Sequence, residues 1–210
     1  GSRGLGDVYK RQLEEKPENL AAAAETSVSY AFDPVYYAAA NLTDGDYDTK
    51  LTSKEGVQPS EQEPAYISFD FGGDYYQIDA LELATAYARY CGILTGELQY
   101  LEYGAWKTLK PFSFTRSGIA ATDDYEIDQI AAGVVTNGLR LKITSVILDQ
   151  TYHNFSINEI TVRGSRAEAP PQPRPVECQT EPGFEALTDG DAGTVWTSPF
   201  AEIPSTQAPH

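Results

Sequence analysis

The chain has 210 residues, 41% of them hydrophobic, which is enough for a packed core in one or two domains. A formal net charge of −16 argues against nucleic acid and anionic lipid as main partners, since both need a Lys/Arg surface. No apolar run reaches the roughly 18 residues of a spanning helix, so no membrane insertion is expected.

The first segment, "GLGDVYKRQ", resembles the in-frame translation of a sequencing-adapter end. Residues 1–12 are therefore expected to be a scar outside the fold, with the true N-terminus and any signal peptide missing. Leu13–Glu25 can form a helix but has no apolar stripe, and it reads as a linker; residues 1–26 together precede the first domain. From Ser27 the pattern changes to strands. In "AYISFDF", Ala65, Ile67, Phe69 and Phe71 face one way and Tyr66, Ser68 and Asp70 the other, the period of a half-buried strand. A turn at Gly72-Gly73-Asp74 leads into "YYQIDALELAT", with Leu81 and Leu83 on one face. "GELQYLEYGAWKTLK" reads as two strands around Gly104, and "DDYEIDQ" as a solvated strand with its turn. "NGLRLKITSV" puts Leu139, Leu141 and Ile143 on one face; "NFSINEITVRG" ends the series at Gly164. Many short strands between Gly, Asp and Asn turns point to an all-β sandwich or jelly roll. "EAPPQPRPVE" then reads as a Pro-rich linker. The cysteines, Cys91 and Cys178, form no metal-ligand spacing, and Cys91 is expected to be a buried small apolar residue.

One acidic turn is written twice. "NLTDGDYDTKLTS" (41–53) returns as "ALTDGDAGTVWTS" (186–198), after the linker. The repetition implies tandem copies of one domain type: a first over 27–166, a linker over 167–180, and the truncated start of a second over 181–210. The turn has ligand chemistry suited to Ca²⁺, which takes oxygens only. Asp44 offers a carboxylate, Asp46 a carbonyl and Thr49 a hydroxyl and a carbonyl, while Gly45 lets the backbone curl inward. The alternative is an Asx-turn in which Asp44 bonds its own backbone without an ion. Asp44, Asp46, Asp48 and Glu55 also fall at the first, third, fifth and twelfth places of an EF-hand loop. Thr49 stands where that loop needs Gly, and the second copy has Gly193 and Phe200 at the fifth and twelfth places, so the match is coincidental.

Together, the acidic turn, "YISFDFGGDYYQIDALEL", "GLRLKIT" and "INEITVRG", in that order, resemble the discoidin or coagulation-factor type C domain. Family-32 carbohydrate-binding modules are its bacterial relatives. The resemblance implies a galactose-binding-like jelly roll and a structural Ca²⁺ held by the Asn41 carbonyl, Asp44, Asp46, Thr49 and Glu159 of the last strand. It also places a ligand site on loops at one end of the sandwich. There the candidates are Tyr36, Tyr37, Tyr87, Arg89, Tyr90, Tyr152 and His153, because aromatic faces stack on sugar C–H faces. Trp106 and Arg140 are read as structural, Arg140 at a sheet edge. One departure from the family is Leu51, where the second copy carries Trp196.

His153 is the only His within the first domain, which leaves no His-based triad or zinc site, and no catalytic role is expected. The reading is a non-catalytic, glycan-binding module with carbohydrate as partner, in an extracellular or cell-surface bacterial protein. Two alternatives stand beside it: a structural or adhesive spacer without a sugar site, and an accessory domain of a glycoside hydrolase.

Overall fold

A computed structural model describes residues 18–116 and 125–173. The chain divides into two units, Gly1–Pro171 and Gln172–His210, and nearly all described residues belong to the first. The expected adapter scar, the rest of the linker and the second copy of the turn lie outside the described residues.

Among the described residues ten strands build the domain: β1 (Glu25–Val28), β2 (Leu51–Thr52), β3 (Ala65–Asp70), β4 (Tyr75–Ala86), β5 (Ile93–Glu102), β6 (Ala105–Ser113), β7 (Tyr125–Thr136), β8 (Gly138–Val146), β9 (Ser156–Ile157) and β10 (Glu159–Ala167). A single helical turn, α1 (Ala88–Cys91), joins β4 to β5, and 3₁₀ turns occupy Leu20–Ala23 and Ala39–Leu42. One sheet has the order β1-β3-β8-β5-β6, a second β10-β4-β7, and β2 pairs with β9 in a small third; every pairing is antiparallel.

The two larger sheets share one core, as an all-β sandwich requires. Ile67 and Phe69 of β3, Leu98 of β5 and Leu139, Leu141 and Ile143 of β8 join Leu81 and Leu83 of β4, Ile130 of β7 and Ile160 and Val162 of β10. These are the alternate apolar positions of each strand, so a slip of one residue would turn them to solvent. Turn chemistry sets the register. Asp70 Oδ1 accepts the Gly72 N–H at 2.7 Å, closing the β3–β4 turn. In the β5–β6 hairpin both Tyr103 (φ 48°) and Gly104 (φ 81°) are left-handed, as the two-residue turns that match strand twist require.

Three expectations need correction. Leu13–Glu25 is not wholly outside the sandwich: Leu20 and Ala21 are core residues, and β1 begins at Glu25. Asn19 fixes this segment, because its amide donates to Ile160 O (2.8 Å) and its Oδ1 accepts from Ala21 N (3.1 Å) and Val162 N (2.9 Å). Arg140 is not at a sheet edge. β8 lies between β3 and β5, and the guanidinium sits between the rings of Tyr66 and Trp106, 4.4 Å from each, bonded to Gln99 Oε1 at 2.7 Å. Cys91 is half-buried and not in the core cluster.

Candidate functional site

The acidic turn follows the second 3₁₀ turn and is tied to the start of β10. Gly45 has φ +77°, which side chains disfavour. Asp44 Oδ1 accepts the Asp46 N–H and Asp46 Oδ1 the Asp48 N–H, both at 2.9 Å, so the turn is a chain of Asx bonds. The Thr49 hydroxyl lies 2.8 Å from Asp44 Oδ2 and 2.9 Å from the Asp46 carbonyl. Asn41 contributes its side chain, which donates to Lys50 O at 2.9 Å across the base of the loop.

Glu159 is 2% exposed, at the first position of β10. Its Oε2 accepts the Gly45 N–H and its Oε1 the Asn19 amide, both at 3.2 Å. The neighbouring Asn158 donates to the carbonyls of Tyr47 (3.0 Å) and Thr49 (3.2 Å) and accepts from Ala86 N (2.9 Å). The last strand thus reaches the turn through two adjacent side chains. Among the described residues no three of His, Cys, Asp and Glu gather in a metal-binding group. The oxygen set here is instead a hydroxyl, a main-chain carbonyl and carboxylates.

Beside this turn lies an open cleft of about 550 Å³. Four tyrosines line it: Tyr37, Tyr87, Tyr90 and Tyr152. Neutral polar groups come from Thr52, Asn154 and Ser156, charged ones from Lys50 and Asp149, and Cys91 also borders it. Local structure explains each placement. Asp33 folds the loop before Tyr37, accepting Val35 N–H on Oδ1 and Tyr37 N–H on its carbonyl, both at 2.9 Å. Tyr87 takes a left-handed φ of 54° where β4 gives way to α1, and that helical turn brings up Tyr90 and Cys91. Asp149 Oδ1 caps the next loop, accepting from Thr151 N (2.8 Å) and Tyr152 N (2.7 Å). The small β2–β9 sheet supplies Thr52 and Ser156, whose hydroxyls bond at 2.9 Å.

A second hollow of about 340 Å³ adjoins the first, sharing Lys50, Tyr87, Cys91 and Ser156. It reaches the acidic turn, because Asp48 lines it and accepts the Tyr125 hydroxyl at 3.2 Å. Burial pushes the Cys91 thiol up, and the Lys50 charge opposes that shift without cancelling it, so Cys91 stays protonated near neutrality.

Of the seven ligand candidates read from sequence, Tyr37, Tyr87, Tyr90 and Tyr152 come together in the cleft. Tyr36 is 74% exposed and off its lining. Arg89 does not line it and lies 3.9 Å from Glu126. His153 has φ 51°, and its main chain bonds Asp149 O and Gly56 N, which makes it a turn residue. Lys50, Thr52, Asp149, Asn154 and Ser156 were missed. Only Asp149, two and three places before the N–H groups it caps, left a turn signal that could have found it.

No family model matches the chain, and no curated protein matches it. Solved structures do. The Clostridium perfringens module CpGH89CBM32-5, in complex with GalNAc-β-1,3-galactose, has a TM-score of 0.53 and 17% identity, over 69% of this chain and 97% of that one. The family-32 carbohydrate-binding module of Clostridium perfringens NanJ, in complex with galactose, has a TM-score of 0.51 and 12% identity, over 69% and 96%. An F5/8 type C domain from Bacteroides fragilis has a TM-score of 0.51 and 13% identity, over 70% and 94%. The chain therefore has the galactose-binding-like β-sandwich fold shared by family-32 carbohydrate-binding modules and discoidin domains.

Proposed function

We propose that this domain is a non-catalytic carbohydrate-binding module of a secreted or cell-surface bacterial protein, and that its ligand lies in the tyrosine cleft. The observation that carries the reading is the cleft itself. Tyr37, Tyr87, Tyr90 and Tyr152 come from three separate loops, and Tyr87, Tyr90 and Tyr152 keep 45%, 44% and 67% of their surface exposed. Aromatic surface clustered in one concave place marks an interaction site. Aromatic faces with a few polar groups between them suit a pyranose, which has apolar C–H faces and a rim of hydroxyls. The solved neighbours holding galactose and GalNAc-β-1,3-galactose support the ligand class. The test is a glycan array probed with the labelled full chain. Binding of a defined glycan class, lost in a Tyr37→Ala/Tyr152→Ala double variant, supports the reading; binding to none, with the protein folded, removes it.

The acidic turn fits a structural Ca²⁺. A hydroxyl has one proton, yet Thr49 Oγ1 touches two acceptor oxygens, Asp44 Oδ2 and Asp46 O. Oxygens crowded to about 2.9 Å are what neighbouring ligands of one Ca²⁺ show when its bonds are near 2.4 Å. Asp44, Asp46, Thr49 and Glu159 would hold the ion, with the Asn41 carbonyl completing the set taken from the resemblance. Its role there is to tie the turn to β10 and so steady one wall of the cleft.

A further inference from the structure

We propose that the cleft selects an acidic glycan, one whose carboxylate or sulfate pairs with the Lys50 ammonium. This rests on the carbohydrate-binding reading above and narrows its ligand class.

Lys50 lines both the cleft and the adjoining hollow, and among the described residues it is the only Lys or Arg lining either. Its ammonium lies 5.8 Å from the centre of the Tyr37 ring, which holds the side chain at the cleft wall. Among the described residues the ammonium has no ion pair and no hydrogen bond, in a chain with 31 Asp and Glu residues. Several other cations have carboxylate partners, Arg116 on Glu126 and Asp128, Lys142 on Glu97, Arg163 on Glu82 and Arg166 on Asp74; Lys107 and Lys110 of β6 show no ion pair among the described residues either, but they do not line the cleft.

The carboxylates around Lys50 are differently placed. Asp149 Oδ1 is taken by two main-chain N–H groups, and Asp48 Oδ1 by the Tyr125 hydroxyl. Lys50 is thus the cationic donor that faces a ligand, beside the neutral tyrosine hydroxyls and the Asn154 amide. A lysine has three donors and no acceptor. A sugar hydroxyl offers it an ordinary hydrogen bond, whereas a carboxylate or sulfate offers a charge-assisted one, roughly twice as strong. The net charge of −16 does not prevent this, because charges beyond about 8–10 Å are screened at physiological salt. Lys50 also stands where the two hollows meet, so an acidic residue bound there leaves room for a neighbouring sugar on each side.

The test uses the full chain on an array of matched glycans, neutral, uronate-bearing, sialylated and sulfated, followed by calorimetry on the best chain of each class. Acidic chains should bind about tenfold tighter than their neutral counterparts, the gain of one charge-assisted contact. Lys50→Met should remove that preference, Lys50→Arg should keep it, and Lys110→Met on β6, with the same loss of charge, should not alter it. The carboxylate and sulfate arms identify which anion is preferred. Equal or tighter binding of neutral chains, or an acidic preference that survives Lys50→Met, overturns this inference and leaves the carbohydrate reading intact. Binding to no glycan overturns both.

Discussion

Tyr30 packs its ring on Phe155 at 4.9 Å inside the core, yet its buried hydroxyl has no protein partner among the described residues. Burial pushes that phenol far up, so it stays neutral. An unpaired buried hydroxyl costs about 1–3 kcal/mol. Tyr30→Phe keeps the ring and drops the oxygen, so it should stabilise the domain by about 1 kcal/mol, raising Tm by about 3 °C in a thermal melt. A lower Tm would show that the hydroxyl has a partner after all. Tyr152 is the opposite case. Its side chain is 67% exposed, so Tyr152→Ala should leave Tm within about 1 °C while weakening glycan binding. Calorimetry and a melt on the same sample separate the two effects. At the acidic turn, an ion bound only by the folded state adds about 2.7 kcal/mol at 100 times its dissociation constant. Chelation should lower Tm, and Asp44→Ala should abolish most of the difference. Equal melting in calcium and in chelator would leave the turn a set of Asx bonds alone.

At the scale of elements, the segment before β1 is a working part of the fold. Asn19 satisfies main-chain groups of β10 on one side and its own 3₁₀ turn on the other, and also meets Glu159. Asn19→Ala would strand the Val162 N–H and one carboxylate contact, costing about 2 kcal/mol, read as a Tm drop of about 5 °C. A silent substitution would mean that the segment docks on Leu20 and Ala21 without it. This segment also shows what sequence could not reveal. Its four consecutive alanines carry no period, so nothing marks Ala21 as core and Ala22 as exposed. The strands were legible because Ala65, Ile67 and Phe69, or Leu139, Leu141 and Ile143, alternate strictly with polar residues. The tyrosines of the cleft could be named from sequence, but not sorted: Tyr36 and Tyr37 are neighbours, and only the Asp33 turn decides which one faces the cleft. Lys50, Thr52 and Ser156 were invisible because their meeting depends on the pairing of β2 with β9 across more than a hundred residues, a long-range fact.

For the whole molecule, the C-terminal end of the first unit is anchored within it. β10 runs alongside β4 as far as Ala167, Arg166 pairs with Asp74, and the Tyr103 hydroxyl donates to Pro171 O at 2.8 Å. The Gly1–Pro171 unit should therefore melt as it does in the full chain, and calorimetry of the two would show this. Its loops gather the four cleft tyrosines beside the acidic turn, while the sheets behind them share one core. On this account recognition belongs to the cleft, and the Tyr66–Arg140–Trp106 stack on the five-stranded sheet is structural. The most direct measurement is a nuclear magnetic resonance titration of the full chain with a glycan chosen from the array. The account predicts shifts concentrated at Tyr37, Lys50, Tyr87–Cys91 and Asp149–Ser156, with the outer face of the five-stranded sheet unmoved. Shifts centred on Tyr66 and Trp106, with the cleft silent, would contradict it.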